Sequence, residues 1–481
     1  MQIRRDSLSI CVILLLVNLL FNFVYTVNTD FFQLYVYLLC SLINVAYCYC
    51  YYIILHEKGF YSLQSFFWIS LWAFGLSRFT FYILDIADFM NYPYSIIGVF
   101  HWTEPVTILI MNYYLIFIIM FTFVGTASLN KQNKNYLSAT YKDTLVTSSL
   151  FKNVKKQLYF FFYASAPFAA AFYIMQTLVI RSVGYTSVFT HAASYNNFLL
   201  TIFVYIFNIC FMLLCTFRDT KIKFTKISIL YFIITSIQLL QGSRGRVIIT
   251  GMVLLLLNYK LYGSKIKVRW LILFSILGIP VLVAMFYIRN GLAFSPNSIV
   301  RVYEEFFLGL SSSLNVPVLY LQVRESLESN AYPYILDPIV RIWQVFTHFD
   351  IYQHGQTLEM LNIRYNLAHH LTNAISTSFY LAGNGLGNNF IAEMAEFGFG
   401  GVVVLSAFFS WMCNWIDDNI ISKPWLRYMS FQILAQIIFA VRGEFFYDTY
   451  NFVKYMFIYL LLERIIKFIV TNKTKKEINN I

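Results

Sequence analysis

The chain has 481 residues, of which 59% are hydrophobic and 12% charged. A water-soluble domain carries about 25% charged residues, so a fully water-facing surface is excluded and most of the exterior is expected to face lipid. The formal net charge of +12 does not indicate nucleic acid. The basic residues are spread over short loops between apolar runs, which is how membrane topology is encoded.

A helix needs about 20 apolar residues to cross roughly 30 Å of hydrocarbon. In chain order the sequence predicts twelve such helices: 8–27, 31–55, 60–84, 104–127, 158–180, 197–217, 227–241, 247–262, 270–288, 399–416, 425–441 and 446–468. The first run lacks a small-residue cleavage site and is followed by further spans, so no cleavable signal is expected. Two segments do not read as spans. One is 128–157, polar and lysine-bearing; the other is 289–398, the longest. The expectation is an all-α polytopic membrane protein without internal repeats. Residues 1–288 carry helices 1–9, residues 289–398 form a long external loop, and residues 399–481 carry helices 10–12 and a tail. The seven cysteines (11, 40, 48, 50, 210, 215 and 413) lie in apolar runs and are expected to be buried and inert.

Charge sets the orientation. Nearly all lysines fall in the loops at 56–59, 128–157, 218–226, 263–269 and 417–424 and in the tail after 468. Placing these in the cytoplasm satisfies the positive-inside rule. Twelve spans then return Lys473, Lys475 and Lys476 to the side where the chain starts. The opposite side keeps arginine instead: Arg181, Arg244, Arg246, Arg289, Arg301, Arg324, Arg341, Arg364 and Arg442. Arginine stays charged where water is scarce and grips phosphate through a two-pronged fork. A bound anion is therefore expected outside. A helix from Ile227 reaches Arg246 after about 30 Å, which puts "QGSRGR" (241–246) near the outer edge of the hydrocarbon. Gly242 and Gly245 relax the backbone there. The plainer reading is that Arg244 and Arg246 anchor a helix end by snorkelling.

Two further clusters stand out. In "GNGLGNNFIAEMAEFGFGG" (383–401), glycines flank Glu393 and Glu396, three residues apart on one helical face. It is not a nucleotide loop, since it lacks the preceding strand and the lysine–hydroxyl ending. The other cluster is "RGEFFYD" (442–448) in the last external turn. Arg78, Glu104 and Lys454 lie near membrane depth, where charge is a functional candidate by default; Asp85 or Asp88 could partner Arg78.

With "GSRGR" (242–246), the glycine–glutamate segment and "VRGEFF" (441–446), the chain resembles O-antigen polymerases of the Wzy type. The twelve-span layout and the long loop match as well. The resemblance implies a bacterial inner-membrane enzyme of the GT-C glycosyltransferase class, with both termini cytoplasmic and its site facing the periplasm. It implies an undecaprenyl-pyrophosphate-linked glycan as donor, a lipid-linked repeat unit as acceptor, no cofactor or metal, and a flippase and a chain-length regulator as partners.

The chemistry fits the residues. Breaking a sugar–pyrophosphate bond builds negative charge on the leaving phosphate, which fixed cations stabilise without reorganisation. Arg244, Arg289, Arg341 and Arg442 are the first candidates to bind pyrophosphate, with Arg246 and Arg301 behind them. A base for the acceptor hydroxyl could be Glu393, His369 or His370, with His348 and His354 as further histidines of the loop. A good leaving group also permits no dedicated base, and Glu393 could instead orient an arginine. Tyr332, Trp343 and Tyr365 are candidates for stacking on sugars. Alternatives are an O-antigen ligase using the same donor with a lipid A-core acceptor, a flippase or other transporter, and a lipid-phosphate-sugar transferase. Uneven halves speak against the transporter, and a first external loop of only a few residues speaks against the last.

Overall fold

The computed structural model describes residues 2–27, 31–86, 91–94, 98–127, 149–183, 197–217, 219–241, 244–289, 299–327, 332–348, 356–446 and 449–479. Helices α1 (Gln2–Val27) and α2 (Phe32–Lys58) come first. Next, α3 (Leu63–Leu71) passes through a π-helical turn (Trp72–Leu76) into α4 (Ser77–Ile83). Ser62 starts α3 by accepting from the Ser65 N–H, a standard N-cap. A short antiparallel hairpin, β1 (Asn91–Tyr94) and β2 (Gly98–His101), leads into α5 (Glu104–Ala127).

The chain continues through α6 (Ser149–Val183), α7 (Phe198–Thr216) and α8 (Lys221–Ser236), the last ending in a 3-10 turn at Ile237–Gln241. Helices α9 (Arg244–Tyr262) and α10 (Val268–Arg289) follow. Then α11 (Ile299–Leu310) and α12 (Asn315–Val323) are joined by a 3-10 segment at Ser311–Leu314. Shorter helices come next: α13 (Asp337–Thr347), α14 (Leu358–Ile363), α15 (Leu367–Ile375), α16 (Thr377–Leu381) and α17 (Phe390–Ala395). The chain closes with α18 (Gly398–Asn419), α19 (Pro424–Phe439), a 3-10 turn at Ala440–Arg442, and α20 (Thr449–Asn479).

Among the described residues, nine helices are long and apolar enough to cross a membrane, so this is a polytopic helical protein. Eight of them coincide with predicted spans. The ninth, 301–326, falls within 289–398, the segment the sequence reads as loop. Arg301, Glu304, Glu305 and three consecutive serines dilute its hydropathy. Helical backbone also covers the other predicted runs.

Aromatic packing builds the core where α3, α5, α17 and α18 meet. Phe67 lies 5.1 Å from Phe121 and 5.0 Å from Phe409, and Phe117 lies 4.9 Å from Phe390, edge to face. Such ring pairs add about 0.5–1.5 kcal/mol each beyond their buried area. This explains part of the 20% aromatic content. One cysteine expectation needs correcting. Cys48 is exposed on α2, whereas Cys40, Cys50, Cys210, Cys215 and Cys413 are buried; Cys48 lies on the face that α2 turns away from its neighbours.

Two ends of the bundle differ in their charges. At one, Lys260 pairs with Asp417 at 2.9 Å and Lys155 with Asp219 at 2.8 Å. The other end gathers the arginines.

Candidate functional site

The site is built from short helices between α13 and α20. Asn366 caps α15, its Oδ1 accepting from the His369 N–H at 3.3 Å. His370 Nε2 lies 3.1 Å from both the Leu361 and Arg364 carbonyls. Carbonyls only accept, so this nitrogen donates and ties the 361–364 turn together. The turn delivers Arg364 into a buried position. Arg364 Nε sits 3.3 Å from Asp337 Oδ2, and Nη2 sits 3.8 Å from Glu444 Oε1. Asn366 Nδ2 donates to the same two carboxylates, at 3.2 Å to Asp337. Arginine and asparagine thus bridge α13, α15 and the segment before α20.

His369 completes the network. Tyr380 donates to the Thr357 carbonyl at 3.3 Å, so its oxygen accepts from His369 Nδ1 at 3.1 Å. His369 Nε2 is then left to accept from Arg364 Nη1 at 3.3 Å. Burial, followed by the charges of Arg364 and Arg341, holds the imidazole well below its usual pKa. A neutral ring is what this hydrogen-bond chain requires.

Glu393 is buried on α17. Its Oε1 accepts from Asn388 Nδ2 at 2.8 Å and its Oε2 from the Phe445 N–H at 2.8 Å. Burial pushes Glu393 well above the ordinary carboxylate range, and the nearby Glu444 charge adds to this. Burial also raises Glu444, against the opposing pull of Arg364. Glu396 turns elsewhere and accepts from the Tyr334 N–H at 2.9 Å. The two glutamates therefore pin two different segments. Glycines make this possible. Gly398 has φ +64°, a conformation that disfavours side chains, and a Cβ on Gly401 would come within 2.6 Å of the Met394 carbonyl.

The predicted arginines divide into groups. Arg442 lies over the Phe74 ring, with Cζ 6.0 Å from its centroid. Arg244 lies 5.9 Å from the Phe306 centroid, and its Nη2 stands where a Cβ on Gly309 would be 2.5 Å away. Both flank one junction, where the 311–314 segment packs on the π-helical turn and the 440–442 turn packs on both. Ser313 donates to the Phe74 carbonyl there at 2.9 Å. Arg341 joins the Arg364 network, its charge reaching His369 and Glu444. Two residues separate Arg442 from Glu444, so the 442–445 strip connects the junction to the network.

Others sit apart. Arg301 is exposed and pairs with Glu305 at 3.4 Å on its own helix. Arg246 is exposed at the start of α9. Arg289 ends α10, but its side chain lies outside the described part, as do Gly242, Asp88 and His354. His348 is exposed and meets Thr347. Lys454 lies 3.7 Å over the Tyr205 ring.

Of the aromatic candidates, Tyr332 and Tyr365 are 4.9 Å apart and Tyr365 stacks on His370 at 5.5 Å. Trp343 is 72% exposed on α13 and does not join them. Arg78 is fully buried and donates to Asn315 Oδ1 at 2.8 Å and to the Leu308 carbonyl.

Sequence reasoning did not single out Asp337, Asn366, Tyr380 or Glu444. Only Glu444 carried a signal, as a member of "RGEFFYD". The arrangement as a whole can hold fixed positive charge next to a helix junction, with the supporting carboxylates kept out of water.

A family model described as O-antigen polysaccharide polymerase Wzy matches residues 9–475. No curated protein and no solved structure matches the chain. The family match spans nearly the full sequence and includes the junction and the network, and the chain therefore belongs to the O-antigen polysaccharide polymerase family.

Proposed function

We propose that the protein moves a growing glycan from undecaprenyl pyrophosphate onto the non-reducing end of a new lipid-linked repeat unit. The lysine-rich end then faces the cytoplasm with both termini, and the arginine end faces the periplasm of a bacterial inner membrane. One observation carries this reading: Arg244 and Arg442 come from distant parts of the chain and flank a single junction. Arg341 stands behind them, and Arg246, Arg289 and Arg301 guide the anion from the rim.

As the sugar–pyrophosphate bond breaks, negative charge grows on the departing oxygen. Guanidinium groups already in place stabilise that charge, and each such group contributes on the order of 100–1,000-fold in rate. The arginines fill the role a metal plays in other transferases, within a GT-C-like architecture. Glu393, His369 and His370 are already engaged in holding backbone and Arg364. We assign them to positioning, with the acceptor proton leaving to solvent. Tyr332 and Tyr365 offer ring faces to the sugars, and Trp343 is the outlying candidate.

Purified protein given only lipid-linked repeat units should produce a ladder of longer glycans, with or without a chelator. Arg244→Ala and Arg442→Ala should stay in the membrane and lose at least ~100-fold in elongation rate. Near-normal ladders from both variants would remove the pyrophosphate clamp. A ladder that appears only with lipid A-core would make the protein a ligase.

A further inference from the structure

Helix α13 is inside out for a protein in water. Leu336, just before it, is 38% exposed; Ile339 on it is 45% and Trp343 72% exposed. Spacings of three and four residues put these on one face of a helix. The opposite face is polar and turned inward. Asp337 meets Arg364 and Asn366, and Gln344 donates to Tyr332 Oη at 3.2 Å and to the Ile363 carbonyl at 2.6 Å. Arg341 lies on that inner side, with its charge felt by His369.

Eleven residues make a helix of about 16 Å, too short to cross a ~30 Å core. α13 packs against α20, whose own outer residues Val453, Phe457, Leu460 and Leu461 are exposed and apolar. The outward stripe of α13 therefore continues the surface of a long apolar helix. Tryptophan is also the residue enriched at the border between lipid tails and headgroups.

We infer that α13 lies in the membrane interface at the arginine end, with Leu336, Ile339 and Trp343 in the lipid and Asp337, Arg341 and Gln344 in the site. Its occupant is the lipid layer itself. The helix fixes the Arg364 network at headgroup depth. On the polymerase reading, the lipid-linked donor then arrives sideways past α13 and keeps its prenyl chain in the bilayer.

The test uses the full chain in nanodiscs containing a phospholipid with a carbene precursor near the top of its acyl chain. After photolysis, peptides are mapped by mass spectrometry. Label on Ile339 or Trp343, together with Phe457, supports the placement. Label on Phe457 with none on α13 overturns it. No catalysis is needed, so an inactive preparation that still labels α13 would count only against the polymerase reading. A second measurement uses Trp343→Glu. It should raise KM several-fold for a long-prenyl donor and leave a short-chain donor unchanged, with kcat preserved. An equal effect on both donors would mean that α13 does not border the lipid path.

Discussion

The two ends of the bundle handle charge in opposite ways. At the lysine end, each carboxylate has simple partners: Asp417 takes Lys260 and the Leu63 N–H, and Asp219 takes Lys155 and Tyr159. At the arginine end, Arg364, Asn366 and His369 share Asp337 and Glu444, while Glu393 sits buried alongside. Simple pairs fasten neighbouring helices. A shared, water-excluded network fixes the position of a cation, and removing one member leaves others stranded.

The largest effect that would sharpen this contrast is on stability. Arg364→Ala strands two buried carboxylates and should cost about 3–5 kcal/mol, read as a fall in melting temperature in nanodiscs. A fall no larger than that from cutting a lysine pair would break the comparison. Next comes Gly309→Ala. The new methyl would displace the Arg244 guanidinium, and elongation should fall about 10–100-fold, as for other small misplacements of a reacting group. The melting temperature should hold, and unchanged elongation would detach Arg244 from the site.

Stability should also depend on pH from both sides. Glu393 and Glu444 have raised pKa values, so the fold retains their protons more tightly than the unfolded chain does. Their contribution is complete below about pH 4.5 and is lost as pH rises through the folded values. His369 is depressed, so its contribution is present above about pH 6.5 and is lost as pH falls through its folded value. Every tenfold difference in proton affinity between the folded and unfolded chain is worth about 1.4 kcal/mol. Glu444→Gln should flatten the alkaline limb alone; an unchanged limb would show that this carboxyl does not titrate there. The smallest effect is at the lysine end. Lys260→Ala should cost about 1 kcal/mol or less, because Asp417 keeps its bond from Leu63.

Much of this was legible in the residues. Runs of about 20 apolar side chains located the helices, because lipid tolerates little else. The helix at 299–323 was missed for the same reason: its charges and serines lie in a protein interior, which hydropathy does not register. Arg442 and Glu393 stood out because their neighbours, glycines and carboxylates, are rare in apolar sequence. Asp337 and Asn366 gave no such cue. Their importance comes from long-range contacts with Arg364 and Glu444, and no local pattern encodes contacts at separations of 27 to 78 residues.

The π-helical turn at Trp72–Leu76 has a bearing on how this sequence tolerates insertions and deletions. Removing one residue from that turn would let it relax into ordinary α-helix. Everything beyond it would then rotate by about 100°. Arg78, two residues past the turn, would swing away from Asn315, and the Phe74 oxygen that receives Ser313 would return to its own helix. The reading frame of that one helix thus works as a key cut to a single depth. Substitutions there should be far easier to accommodate than a change in length.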